Sequence, residues 1–283
     1  AATEVKKEER VPQPPPKKEV PEPVDQKTVL QTTGKEREEW IQAIRDELNN
    51  TTDTLEPARQ EDLDELRRLG KEPVPSRMVF VRKPAKKKAR IVICGNFLDQ
   101  FSDSSTTNID APPLRTLIAN GWRKGNCIGS LDITAAFLHA DLPKDRFLIV
   151  APPPCLVALG VCKPGDLWIV RRALYGLKES PRYWEDHRDG ILTSLQVQHK
   201  GKAYTLFRSE VHHSIWHIYD GQTKHKKRDP ISLAESAVPL LPTEHTTSPV
   251  ASIGVYVDDF IWTGPRDLFT SFHKAIQSKF KVG

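Results

Sequence analysis

Apolar side chains first recur at helical spacing at Trp40, Ile41, Ile44 and Leu48, which predicts an opening helix from Glu36 onward. A second short helix follows, with Leu63, Leu66 and Leu69 on one side and Gly70 as its stop. Two β-rich runs come next, MVFVR (78–82) and ARIVIC (89–94). The basic turn between them makes a hairpin with cations at its tip. Further on, CIGSLDI (127–133) reads as a buried strand, TAAFLHA as a helix-like segment, and RFLIV and DLWIVRR as strands. Ser180-Pro181 caps and opens a helix carrying Tyr183, Trp184, His187, Ile191 and Leu195 on one face. AYTLF and SIWHIYD are strands, and ASIGVYV and FIWTG are two more that flank Asp258-Asp259. The chain closes on a helix with Leu268, Phe269, Phe272, Ile276 and Phe280. This order predicts an α+β fold with helices on one face of a sheet.

Composition changes the picture at the ends and in one insertion. Residues 1–28 hold six prolines, balanced charges and almost no large apolar residue. They bury too little to offset chain entropy, so residues 1–35 read as a disordered linker and 36–283 as the folded part. The polar stretch over 221–249 reads as a disordered insertion, because a structureless loop of about 30 residues is improbable inside a compact domain. No apolar run approaches the roughly 20 residues that span a bilayer. The opening AATEVKKEER has neither a signal-like apolar stretch nor a Met, which suggests a soluble intracellular piece of something longer. Cys94, Cys127, Cys155 and Cys162 form no CxxC pair, so they read as scattered reduced thiols.

Net charge is only +5, but it is unevenly placed. Residues 36–72 hold twelve acidic and six basic side chains, whereas RKPAKKKAR (82–90) has six cations and no acid. Such a run is either a solvated turn or a phosphate-facing patch.

The most informative chemistry is Tyr256-Val257-Asp258-Asp259. Adjacent carboxylates at the tip of an apolar hairpin repel and are awkward to keep ionised without a cation, although Asp is also a common turn residue. Asp132 ends the other strongly apolar strand; if the two strands are neighbours, Asp132 and Asp258 converge. Oxygen-only ligands suit Mg²⁺ rather than zinc, and paired Mg²⁺ ions on carboxylates are what in-line nucleotidyl transfer needs. His212, His213 and His217 sit in an alternating pattern without a partner ligand and read as a solvated strand face. Trp168, Trp184, Trp216 and Trp262 each lie in an apolar run and read as core.

LDITAAFLHADL (131–142), RRALYGLKESPRYW (171–184) and GVYVDDFIW (254–262), in that order, resemble the reverse transcriptase of copia-type LTR retrotransposons. KARIVICGNF (88–97) resembles the fingers strand before the first catalytic block, and EREEWIQAIRDELNN the family's opening helix. The resemblance implies a right-hand polymerase, fingers and palm, built on a central antiparallel sheet. It implies an RNA-directed DNA polymerase fragment of a retrotransposon polyprotein that adds dNTPs to a primer 3′-OH on an RNA or DNA template. Asp132 and Asp258 would bind two Mg²⁺ ions, or Mn²⁺ in their place, with Asp259 completing the cluster. Phe137 would lie under the incoming sugar and select dNTP over rNTP, although on its residues alone it reads equally as a core aromatic. Arg90, helped by Lys88, would meet the triphosphate, and Tyr175 and Gly176 would border the nucleotide and template pocket. Lys178 reads as a surface cation.

Cys94 stands where the family usually carries a basic residue, and the stretch over 108–119 looks short. The chain stops at KFKVG, where the next palm block would begin, so thumb and primer grip are expected to be missing. RNase H and integrase would be partner domains. Location in cytoplasmic particles, with product delivered to the nucleus, follows from the family alone. Two other functions compete: a catalytically inactive nucleic-acid-binding module derived from such an element, and a metal-dependent nuclease. The nuclease leaves Phe137 and LYGLKESP unexplained.

Overall fold

The computed structural model describes residues 20–84, 86–98, 104–221 and 248–283. The chain begins with strand β1 (Glu22–Val24), helices α1 (Gln26–Gln31) and α2 (Gly34–Asn50), strand β2 (Leu55–Pro57) and helix α3 (Gln60–Arg68). The hairpin β3 (Val74–Arg82) and β4 (Lys87–Ile93) leads to helix α4 (Ala111–Arg123) and strand β5 (Cys127–Asp132). Strand β6 (Ile149–Ala151), helix α5 (Pro154–Ala158), strand β7 (Trp168–Val170) and helix α6 (Ser180–Ser194) follow. Strands β8 (Gln196–His199), β9 (Lys202–Arg208), β10 (Ile215–Asp220), β11 (Ala251–Tyr256) and β12 (Asp259–Gly264) precede the last helix, α7 (Arg266–Gln277).

These strands make two six-stranded sheets, so the α+β reading holds but the single central sheet does not. The first runs β1-β3-β6-β7-β2 with β4 paired to β3, and contains one parallel pairing, Val74↔Val150. The second runs β5-β12-β11-β10-β9-β8 and every pairing in it is antiparallel. Each sheet has its own core. Trp40, Ile44, Phe80, Ile91 and Ile93 belong to the first; Trp184, Trp216, Ile253, Trp262 and Phe272 belong to the second.

The expectation of helices on one face is corrected for the second sheet. Alternate residues Ile253, Val255, Phe260 and Trp262 pack with α6 and α7, where Trp262 stacks on Phe272 at 5.2 Å. The opposite face is covered by α4, and small residues let it approach. A Cβ at Gly254 would come 2.6 Å from Ile109 Cδ1, and one at Gly121 would come 2.8 Å from Thr263 Cβ.

Three local expectations also change. Residues 20–35, read as linker, form β1 and α1: Asp25 accepts from the Lys27 N–H at the helix start, and Val29 is buried in the first core. Residues 1–19 lie outside the described residues, as does the insertion expected over 221–249 apart from its ends. The buried stripe of α6 is Trp184, Arg188 and Leu192, displaced from the expected face. Arg188 can sit there because Asp189 Oδ1 lies 2.8 Å from its Nη2, and Glu185 is close by. Ser180 does not cap the helix. Its hydroxyl accepts from the Leu174 N–H at 3.0 Å and donates to the Leu174 carbonyl at 2.7 Å, closing the 174–180 loop on itself.

Strand alternation divides the basic run. Lys87 turns toward α2, 2.9 Å from Glu36 and 3.2 Å from Glu39, with its ammonium over the Trp40 ring. Arg82 also meets Glu36, at 2.9 Å. Lys88 and Arg90 alternate with the core residues Ala89 and Ile91 and therefore project from the other face.

The outer edge of β4 is covered by two groups. Glu47, buried on α2, accepts from the Ile91 N–H at 2.9 Å, and the Tyr175 carbonyl accepts from the Ile93 N–H at 2.8 Å. Gly176 (φ 94°) and Gly95 make that second contact possible. A Cβ on Gly176 would lie 2.0 Å from the Ile93 oxygen, and one on Gly95 would lie 2.1 Å from the Gly176 oxygen. Gly176→Ala should therefore destabilise the fold by roughly 3 kcal/mol or more, combining left-handed strain with a backbone clash. Gly160→Ala, at φ 71° in open space, should cost only about 1–2 kcal/mol. Urea unfolding of both variants checks the difference, and equal losses would refute the close-approach explanation.

Candidate active site

Asp132 ends β5 and Asp259 begins β12, and the register sets the two directly opposite each other. Like charges across an antiparallel pair are destabilising, so strand stability does not select this arrangement. Tyr256 pairs with Asp259 across the β11–β12 hairpin, leaving Val257 and Asp258 as a two-residue turn. Partial burial of its carboxyl, and then the charges of Asp258 and Asp132, hold Asp259 above the ordinary carboxylate pKa. The three acids predicted from sequence are thus brought to one end of one sheet.

The turn itself is strained. Val257 has φ 51°, a left-handed conformation that tight hairpins require and that Gly or Asn normally supplies. A β-branched residue there costs about 1–2 kcal/mol. Three hydrogen bonds hold it. The Val257 N–H donates to Asn108 Oδ1 at 2.9 Å, the Trp184 indole N–H donates to the Val257 carbonyl at 2.8 Å, and the Ile133 N–H donates to the Asp258 carbonyl at 2.9 Å. Among the described residues, the indole nitrogens of the other fully buried tryptophans, Trp40, Trp216 and Trp262, have no hydrogen-bond partner. Trp184 is therefore both a core residue and the anchor of the turn.

A second group gathers the residues expected to meet a nucleotide. The Arg90 guanidinium lies over the Tyr175 ring at 4.7 Å, and the Phe137 ring is 5.5 Å from the same ring. Phe137 sits in a 3₁₀ turn, Ala136–His139, whose entry residue Ala135 has φ 55°. Burial raises the Tyr175 phenol pKa; Arg90 opposes the rise, and the charges of Glu47, Asp258 and Asp132 add to it. Tyr175 is thus close enough to feel both carboxylates and the cation. Burial, followed by the positive charges of Arg90 and Lys83, lowers the Lys88 amine. Gly176 holds the backbone contact to β4, and Lys178 is exposed, as expected for a surface cation.

The remaining constellations resolve without new chemistry. His217 Nδ1 is 2.9 Å from Ser252 Oγ, and His212 Nδ1 is 2.7 Å from Ser214 Oγ. The four cysteines are free. Among the described residues, no three His, Cys, Asp or Glu side chains are gathered to hold a metal unaided. An apolar cavity of about 490 Å³ between α4 and β10–β11 is lined by Leu117, Gly121, His217 and Ser252, and by none of the three acids. No helix among the described residues is long and apolar enough to cross a membrane.

The sequence reading missed Asn108, Glu47, Gly95 and the donor role of Trp184. Asn108 lies 149 residues before its partner, and nothing in NIDAPP marks it. Only the glycine after the ARIVIC strand offered a local signal, as a position of close backbone approach.

The family model described as reverse transcriptase (RNA-dependent DNA polymerase) matches residues 66–218, more than half of the 283. The match includes Arg90, Asp132, Phe137, Tyr175 and Trp184, and ends before β11.

The raised Asp259 pKa makes a signed prediction. Above that pKa the carboxylate is ionised in both folded and unfolded chains, but its charge is penalised only in the folded one. Below the unfolded value both states are protonated and the penalty is gone. Asp259→Asn should therefore stabilise the fold at pH 7, and the gain should shrink as pH falls through the Asp259 pKa. Urea midpoints at pH 7 and near pH 3.5 check it, the lower value lying just under the unfolded Asp pKa of about 3.9.

Proposed function

The chain belongs to the reverse transcriptase (RNA-dependent DNA polymerase) family, and on that premise we propose that residues 36–283 are the fingers and palm of an RNA-directed DNA polymerase. The source would be the polyprotein of a copia-type LTR retrotransposon, acting with thumb, RNase H and integrase domains in cytoplasmic particles. The observation that carries the reading is the register Asp132↔Asp259 beside the held turn of Val257 and Asp258. That arrangement sacrifices strand stability to gather negative charge.

The donor set fits Mg²⁺. This ion favours oxygen ligands and is bound through one or two carboxylates plus substrate phosphates and waters, so a closed three-ligand cage is not required. Asp132 and Asp258 would hold it, with Asp259 beside them. Bound there, two Mg²⁺ ions (or Mn²⁺) would supply Lewis acidity toward the primer 3′-oxygen and the triphosphate.

The chain's own residues would do the rest. Arg90 and Lys88 would neutralise the triphosphate as the primer 3′-oxygen bonds to the α-phosphorus and pyrophosphate leaves. Arg90 is braced on Tyr175, and its planar fork suits phosphate oxygens. Phe137, also packed on Tyr175, would press on the sugar at C2′ and exclude a ribonucleotide.

Primer extension on poly(rA)/oligo(dT) with Mg²⁺ and dTTP tests the reading. Asp258→Asn keeps the volume and removes the charge, and it should lower extension by about 10²–10³-fold, the range typical for losing a central electrostatic group. Salt-sensitive binding of an RNA–DNA duplex without extension, even with a thumb domain supplied, would instead support the inactive binding module. Phe137→Ala should leave dTTP incorporation within about tenfold and raise rUTP incorporation relative to it by roughly 10–200-fold, the scale set by a steric contact of this size. Competition assays read that ratio, and an unchanged ratio would assign Phe137 to packing alone.

A further inference from the structure

The conformation of Val257 is held from two sides by consecutive residues of α6. Trp184 donates directly to the Val257 carbonyl. Glu185 works through the segment before α4: its Oε2 accepts from the Thr107 N–H at 2.9 Å, and the next residue, Asn108, accepts from the Val257 N–H. Glu185 is itself fixed, buried, with Arg208 Nη2 at 2.9 Å from Oε1. Arg208 also reaches Asp189 at 3.0 Å. On its other flank Asn108 is followed by Ile109, whose N–H donates to the Val255 carbonyl at 2.9 Å. The Asn108 amide is thereby carried on a backbone pinned at both ends. Its own Nδ2 faces Thr106 Oγ1 at 3.5 Å, leaving Oδ1 for the turn.

We propose that Asn108 is a positioning residue for the carboxylate site: by accepting the Val257 N–H it selects the left-handed turn that sets Asp258 next to Asp132 and Asp259. The inference rests on the proposed reading of those acids as the metal-holding group. Asn108 touches neither metal nor substrate in this role. Without its acceptor, Val257 is free to relax to negative φ, which reorients the 257–258 peptide and breaks the bond from Ile133 to the Asp258 carbonyl. A glycine at 257 has no preference against the left-handed state, so it should make the acceptor largely dispensable.

The test is a double-mutant cycle read by Mn²⁺ binding to the full chain without nucleic acid, following free Mn²⁺ by its paramagnetic resonance signal. Asn108→Ala should weaken Mn²⁺ binding about tenfold in the native background, as expected for one lost hydrogen bond to a strained group. In the Val257→Gly background the same substitution should cost less than about threefold, because neighbouring groups couple non-additively. Thermal midpoints of all four proteins establish that each is folded. Equal losses in both backgrounds, or no loss in either, would overturn the proposal. Identical Mn²⁺ binding by the native chain and Asp258→Asn would refute the metal-holding reading, and with it this inference. A chain that binds Mn²⁺ through Asp258, shows the expected cycle and never extends a primer would refute the polymerase reading while leaving the role of Asn108 intact.

Discussion

The hydrogen bond from the Trp184 indole to the Val257 carbonyl joins the interior of the second sheet to the strained turn that carries Asp258. Trp184 lies in the same core as Phe260 and Trp262, at the foot of the β11–β12 hairpin, and its ring meets Phe280 at 5.2 Å. The packing that stabilises the sheet therefore also orients the indole, and the indole fixes the peptide that carries Asp258. Strain of this kind persists only where its surroundings over-determine it. Here both polar groups of the Val257 backbone are engaged by side chains that belong to a rigid helix and to a pinned segment.

Electrostatics divides the molecule along similar lines. The acids of α2 meet two of the six cations of the basic run, so Lys87 and Arg82 are neutralised internally. Lys88 and Arg90 are left on the other face of the strand, where Arg90 lies over Tyr175, and the three aspartates gather at the end of the second sheet. The chain thus carries one wall of positive charge at Lys88 and Arg90 and one of negative charge at the aspartates. Neither wall is explained by folding stability: the opposed aspartates repel, and Lys88 is partly desolvated beside other cations.

Much of this was readable from local pattern. The β3–β4 hairpin, the β11–β12 hairpin, α2 and α7 all follow from spacing of apolar residues within a dozen positions. The buried stripe of α6 did not, because hydrophobicity assigns Arg188 to the outside. Asp189 and Glu185, whose remaining charge is met by the distant Arg208, make it a core residue. Ser180 looked like a cap because Ser-Pro usually is one; the demand of the Leu174 backbone for both a donor and an acceptor won instead. The three aspartates were singled out by residue type and Phe137 by the family resemblance, whereas Asn108 is an ordinary loop residue until the fold brings Val257 to it. The strand at residues 22–24 was hidden by its prolines, which an edge strand tolerates where a central one would not.

The close approaches of Gly95 to the Gly176 oxygen and of Gly176 to the Ile93 oxygen have a mechanical meaning. Strand β4, the Tyr175 backbone and the self-closed loop that opens α6 are tied by main-chain bonds and by contact too close for any side chain to cushion. Arg90 and Trp184 therefore ride on one stiff lever, although one lies on a strand of the first sheet and the other on a helix packed in the second core. Any tilting of one sheet against the other would have to pivot about this joint or carry both along. A displacement of the cation toward a bound anion would then be felt at the aspartate turn as torque delivered through the indole.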